Sequence, residues 1–563
     1  MRKQIQRQKN RFPHLPRSEC NRVVVDNTQD NIKEDRKMKA KKLLALILAL
    51  AMAVTLVACG DKPEDTSSDS DPITLVCANK SDPGNYGPYG SSSDRKMYQL
   101  MLFEALMFKN ADGEIENVLL ESYESKGNGV YRLKLFDNIH DTAGNPVKAS
   151  DVVFSYEKAI ENGSYSSVLS SFDHFEIVDE NTLDMYLVNE SAGSFTVICC
   201  AINIVSEKAW NDAGDEMVHN AVGTTPYKLK EYVEGSYVLY EKTNDYWQTD
   251  ASKLSTRGIA NPEFVKWVTV SDNSAAAVTL QTGETDHTKG INAKDYALFM
   301  DADMNPLEDY KVAAIKGNMT YGVTFNSGEK SLCSDVNLRK AICYAIDAEA
   351  IADNIFGSYA RAAGNYVNHA YGDYDESLED LDNYYRFDAN KAAEYLAKSN
   401  YKGEKLKLLV CPMGQAKNIG PLVQGYLMKA GIDCEVMLYD TAIYNSYLYD
   451  ETGTEWDLVV TGDSGTTGAE YMWSVLYAAD NRLNDFGNLM HIDDPKLQSL
   501  YEKMASVDGN STESLGEYLD YVNENCYQYL IMNFYKFSFA GNQVKKLVTD
   551  FTGEIICGAC EVG

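Results

Sequence analysis

Val222-Gly-Thr-Thr-Pro-Tyr-Lys-Leu-Lys-Glu-Tyr232, Val233-Glu-Gly-Ser-Tyr-Val-Leu-Tyr-Glu-Lys242 and Thr243-Asn-Asp-Tyr-Trp247 make the stretch from which the rest of the chain is read. Gly223 and Pro226 punctuate a turn. From Tyr227 apolar and polar residues alternate, the period of a half-buried strand. Glu234-Gly235-Ser236 breaks the run, and a second strand follows through Tyr240. The pattern predicts a β-hairpin, with Trp247 anchoring its exit in a core.

Those residues resemble the Gly-Thr-Gly-Pro-Tyr…Asn-x-x-Tyr-Trp signature of the peptide and nickel solute-binding proteins, family 5, which serve ABC importers. Thr225 stands where the second glycine is usual. Other segments resemble the same family in order along the chain. Asp141-Thr-Ala-Gly-Asn-Pro-Val147, a turn, leads to Ser150-Asp151, expected to cap a helix over Val152–Ile160. Leu280-Gln-Thr-Gly-Glu-Thr-Asp286 and the strand-like Tyr321–Asn326 follow. The most specific match is Asp335, Val336, Arg339, Ala341, Ala345, Ile346 and Asp347. Within it Leu338, Ala341, Ile342, Ala345 and Ile346 form one helical face. The resemblance implies an α/β, two-lobed type II periplasmic-binding-protein-like fold with an extra small subdomain in the first lobe. The lobes would be 72–318 (accessory subdomain near 108–205), 319–527, and a return to the first lobe over 528–563. Two strands crossing between the lobes would then form a hinge.

Residues from Asp388 onward point the same way without the resemblance. Helix Ala389–Lys398, strand Lys405–Val410, helix Gly420–Ala430, strand Cys434–Tyr439, a short helix near Ala442–Tyr449 and strand Asp457–Thr461 alternate. Such alternation predicts a parallel, doubly wound lobe, whose ligands bind beyond the carboxyl ends of the strands.

The amino-terminal region reads as an export segment. Residues 1–37 are polar and basic, either disordered or upstream of a true start at Met38. Lys39, Lys41 and Lys42 precede an unbroken apolar run, Leu43–Ala58. As a helix it would span roughly 24 Å, short of the ~30 Å hydrocarbon core, so it is read as a signal peptide over 38–58. Leu56-Val57-Ala58-Cys59 resembles a lipobox, with Cys59 carrying the lipid and 59–71 forming an acidic linker. Of 52 Lys/Arg and 83 Asp/Glu, thirteen and five lie within residues 1–59. The remaining 39 basic and 78 acidic residues carry a net charge of −39, which argues against nucleic acid as a partner. About 500 residues exceed a single core, so two or more lobes are expected.

Thr461-Gly462-Asp463 resembles the place where dipeptide- and oligopeptide-binding relatives carry an aspartate that pairs with the ligand's α-amino group, which would make Asp463 an amine ligand. The alternative is a helix N-cap. Relatives usually have a tryptophan near that strand end, where this chain has Val460. Tyr86 and Tyr89 either line the cleft or pack on their own loop; Tyr471 and Trp473 either line it or lie in the core. Gly462-Asp463-Ser464-Gly465 imitates a serine-protease motif, but no histidine stands in a matching context. Asp301-x-Asp303-x-Asn305 imitates a calcium loop but has Pro306 where glycine is needed. Cys557-Gly-Ala-Cys560 has neither a second Cys pair nor a histidine to complete a zinc site, leaving a local disulfide or free thiols. No metal, cofactor or catalytic group is expected. The reading is a monomeric, lipid-anchored, extracytoplasmic solute-binding subunit for peptide or another small solute, working with an ABC permease and ATPase. An extracellular hydrolase and a stand-alone sensor or chaperone are the alternatives.

Overall fold

The structure is a computed structural model that describes residues 72–563 apart from 83, 91–92, 166–167, 189, 191, 365–374, 379–380, 451 and 465–489. Cys59, the export segment, Tyr471 and Trp473 therefore lie outside the described residues.

An 11-stranded mixed sheet runs through the molecule, with a separate four-stranded antiparallel sheet built from residues 120–187. Two long strands hold the large sheet together: Tyr310–Phe325 and Gln528–Gly541, paired antiparallel. We call them the first and second crossover strands, because a different hydrophobic core packs at each end. Lobe I comprises strands Thr74–Asn79, Phe264–Thr269 and His287–Thr288 with the hairpin, and is completed by Ala540 and the carboxyl-terminal segment through Cys560. Lobe II comprises strands Leu406–Val410, Cys434–Leu438 and Leu458–Ser464, and its core includes residues from Tyr321 to Met532. Its three strands run parallel, with helices Ala389–Lys398, Ala416–Lys429 and Thr441–Leu448 between and around them.

The crossover pairing slips midway. Lys316 faces Tyr535, yet Thr320 faces Asn533. Four steps on one strand match two on the other, a β-bulge. Gly317 lies within it: a Cβ there would stand 2.4 Å from the Phe534 carbonyl oxygen.

The hairpin forms as the sequence predicts, Tyr227–Val233 against Tyr237–Lys242 at the sheet edge. Its flanking motif turns out to be a structural joint. A Cβ on Gly223 would lie 1.8 Å from the Leu102 carbonyl oxygen, so only glycine fits. Thr225 donates its hydroxyl to Met101 O at 2.7 Å, using the side chain that a glycine would lack. At the other end of the stretch, Tyr246 and Trp247 donate to the buried Glu104 carboxylate at 2.8 and 3.2 Å. Burial raises the Glu104 pKa, and the nearby Arg257 and these donors oppose that rise. The motif thus pins helix Ser93–Leu102 and the segment after it to the hairpin.

Two helix starts differ from expectation. The helix expected at Val152 begins at Ala149, because Asp151 is a third-position residue whose carboxylate accepts the Lys148 N–H at 2.8 Å. The helix expected at Gly420 begins at Ala416. Pro421 lies inside this helix, after a turn closed by Asn418 and Ile419 N–H on Gln415 O. Cys557 and Cys560 are separate buried thiols.

Candidate functional site

The strand ends locate the site. In lobe II, Leu458–Ser464 runs antiparallel to the first crossover strand, pairing Leu458 with Phe325 and Asp463 with Thr320. Moving toward its carboxyl end therefore moves toward the bulge. In lobe I, His287 pairs with Ala540 and Thr288 with Phe539 of the second crossover strand, again leading toward the bulge. The carboxyl ends of strands in both lobes thus converge on the irregular part of the crossover ribbon, where the register shifts between Lys316 and Thr320 and again between Tyr321 and Gly322. Ligands of parallel α/β sheets bind beyond such ends.

On the lobe II side Tyr321 organises the approach. Its ring lies against Gly462, where a Cβ would come within 2.5 Å of the ring. Its hydroxyl accepts the Gln415 N–H at 3.1 Å, and Gly414, at φ 57, lets that loop pass over it. Tyr321 stacks on Phe534, which stacks on Phe356 with ring centroids 4.9 Å apart. Burial raises the Tyr321 pKa, so its hydroxyl stays protonated. Thr461 and Gly462 are half-buried, and Asp463 is the next residue on this strand.

On the lobe I side, a cavity of about 270 Å³ is lined by Asn79, Lys80, Asn273, Thr288 and Lys289 among others. Behind it the turn at 549–555 brings two carboxylates to three lysines. Lys96 bonds Asp550 at 3.0 Å, and Lys289 pairs with Glu554. Lys536, on the second crossover strand, has its pKa lowered by burial and by Lys96 and Lys289, while Glu554 and Asp550 oppose that shift.

Tyr86 and Tyr89 are not cleft residues. Tyr86 is 0% exposed and Tyr89 6%. The Tyr86 hydroxyl donates to Asp82 at 3.1 Å, and its ring meets Tyr98 and Tyr232 edge-on; Tyr89 packs on Trp210. The loop's glycines and prolines fold it back onto lobe I, so its aromatic rings fill that core instead of facing solute. Asp301 caps its own turn, accepting the Asp303 and Asn305 N–H at 3.0 and 2.8 Å. Among the described residues no group of three or more His, Cys, Asp or Glu could hold a metal ion.

Sequence reading missed the roles of Tyr321, Arg339 and Glu104. Arg339 is 4% exposed and donates to Cys333 O and Ser334 O on one side and to Asn525 O and Cys526 O on the other. It ties the segment after the first crossover strand to the residues just before the second. A charged residue amid an apolar helical face was the available signal; its distant partners Asn525 and Cys526, almost 190 residues away, were not.

This architecture, two α/β lobes joined by a bulged pair of crossover strands, is that of a binding protein that grips a solute between halves. Residues 114–482 match the bacterial extracellular solute-binding proteins, family 5 Middle, and the chain belongs to that family. It is 25% identical over 391 residues to the glutathione-binding protein GsiB of Escherichia coli O6:K15:H31, covering 67% of this chain and 72% of that one. It is also 25% identical over 413 residues to the nickel-binding protein NikA of Staphylococcus aureus, covering 69% and 75%. Among solved structures, HbpA2 from Haemophilus parasuis aligns with a TM-score of 0.74 at 20% identity, covering 87% of this chain and all of that one. The family's members are extracytoplasmic solute-binding components that work with an ABC permease and ATPase, not enzymes.

Proposed function

We propose that this protein is the lipid-anchored solute-binding subunit of an ABC importer for short peptides, with the Asp463 carboxylate pairing the ligand's α-amino group. Lobe I is assigned to 72–318 with 528–563, its accessory subdomain near 108–205, and lobe II to 319–527, although crossover residues Tyr529–Met532 pack in the lobe II core. Cys59 carries the lipid at the start of the acidic linker, 59–71. The observation that carries the peptide reading is the register Thr320↔Asp463, which sets an acidic residue at a strand's carboxyl end beside the bulge. A buried ammonium requires such a partner, since an unpaired one costs several kcal/mol. The ligand of the glutathione-binding relative is itself a tripeptide with a free amino group. Closure follows as a population shift, driven by the ligand's preference for the closed form.

Calorimetry on the soluble body after Cys59 tests this reading, once mass spectrometry has identified the solute that co-purifies with it. Asp463→Ala is expected to weaken binding of a free-amino peptide by about tenfold or more, while an N-acetylated peptide binds both forms equally poorly. Equal affinity of the two proteins for the free-amino peptide removes Asp463 from the site.

A further inference from the structure

Each lobe buries two thiols side by side, and the two pairs differ. In lobe I, Cys77 on the first strand and Cys557 near the carboxyl terminus have sulfurs 3.9 Å apart, an ordinary contact. In lobe II, the Cys343 and Cys526 sulfurs are 3.0 Å apart. That spacing is closer than sulfur van der Waals contact and approaches the roughly 2.05 Å of a covalent S–S bond.

Their placement adds to the distance. Cys343 lies on helix Val336–Ala345, one turn beyond Arg339 and on the same face. Cys526 caps helix Thr512–Asn525 in a left-handed conformation, φ 52, two residues before the second crossover strand begins. Arg339 already holds both sides by donating to Asn525 O and Cys526 O. The thiols are thus pre-aligned by a neighbour that does not depend on them. Both are 0% exposed.

We propose that Cys343 and Cys526 are a disulfide site, oxidised as the chain folds outside the cytoplasm, where such bonds persist. The two thiols together lose two protons and two electrons and form one S–S bond. The oxidant is the disulfide of a thiol–disulfide oxidoreductase or of oxidised glutathione, which is reduced to two thiols. The bond joins the segment after the first crossover strand to Cys526, two residues before the second, so both crossover strands leave lobe II from one covalent anchor. Once buried, it is shielded from exchange. Cys77 and Cys557 remain a dithiol.

Protein folded in a glutathione redox buffer would be denatured with iodoacetamide and no reductant, digested, and mapped by mass spectrometry. The expected result is one linked pair of peptides carrying Cys343 and Cys526, lighter by two hydrogens than the separate peptides, with Cys77 and Cys557 alkylated. Alkylation of both Cys343 and Cys526, or a link from either to Cys333, overturns the proposal. Reduction in denaturant, followed by refolding without oxidant, is expected to lower the Tm of the wild type by about 5 °C or more and to leave the Cys343→Ala, Cys526→Ala double variant unchanged. A wild-type Tm that is the same after that treatment also overturns it. The mapping uses the unaltered chain, so a variant that fails to fold leaves the test intact.

Discussion

The two ends of the crossover ribbon are fastened by different chemistry. At lobe II, one buried guanidinium bridges four backbone carbonyls. At lobe I, the turn at 549–555 is held through ion pairs between its carboxylates and lysines that remain about a third exposed. The first fastening is a buried charge on buried carbonyls, whereas the second sets buried carboxylates against lysines that keep contact with water. A fully buried charge is strongly missed when its partners are left without it; a lysine that water can still solvate loses less when its partner is removed, and salt can screen it. Lobe II should therefore hold its root rigidly, with compliance concentrated at the lobe I side and at the bulge between.

The largest test of that contrast is Arg339→Met. It leaves four carbonyls without their donor, and lobe II is expected to lose about 3 kcal/mol or more. Hydrogen exchange should accelerate at 333–345 and 525–532 together. A loss below about 1 kcal/mol in urea unfolding would erase the distinction between the roots.

Asp550→Asn is expected to cost only about 1 kcal/mol, since the amide oxygen can still accept the Thr552 and Glu554 N–H groups. The corresponding acid effect has a defined sign. Burial pushes the Asp550 pKa up, but Lys96, Thr552 and the Glu554 N–H together outweigh it and hold the pKa below the usual carboxylate value. A depressed folded pKa gives stability that is present above the unfolded value, near 3.9, and lost as pH falls through the folded one. Unfolding midpoints of wild type should drop below about pH 4, and those of Asp550→Asn should drop less.

The smallest expected effect is that of salt. At 1 M the screening length is about 3 Å, so exchange should quicken at 549–555 while 333–345 and 525–532 stay unchanged. Equal responses would show that the two fastenings are of one kind.

Much of the frame was legible before the structure. Helix Ala389–Lys398 begins and ends as read, because Asp388 accepts the Asn390 and Lys391 N–H and the apolar face repeats cleanly. The αβ alternation after Asp388 gave a parallel lobe, and the family belongs with the motifs that suggested it. The hairpin motif was readable as local structure, but its tie to Glu104 was not: a lone acidic residue more than 140 positions away leaves no periodic trace. Tyr86 and Tyr89 were ambiguous because tyrosine suits a wet cleft and a dry core equally, and only tertiary packing decides. Of the first crossover strand only the last five residues fall within the expected Tyr321–Asn326 segment. The strand starts at Tyr310, and the bulge follows from pairing with a strand more than 200 residues later.

A ribbon of two strands normally transmits twist along its whole length. Here the ladder is interrupted between Lys316 and Thr320, and the neighbouring lobe II strand reaches this same gap, with Met319 facing Ser464. Bending is cheapest along such a seam, since few amide bonds must be given up there. A guest held by the strand end would press directly on the weakest line of the scaffold, with no relay through the bulk of either half.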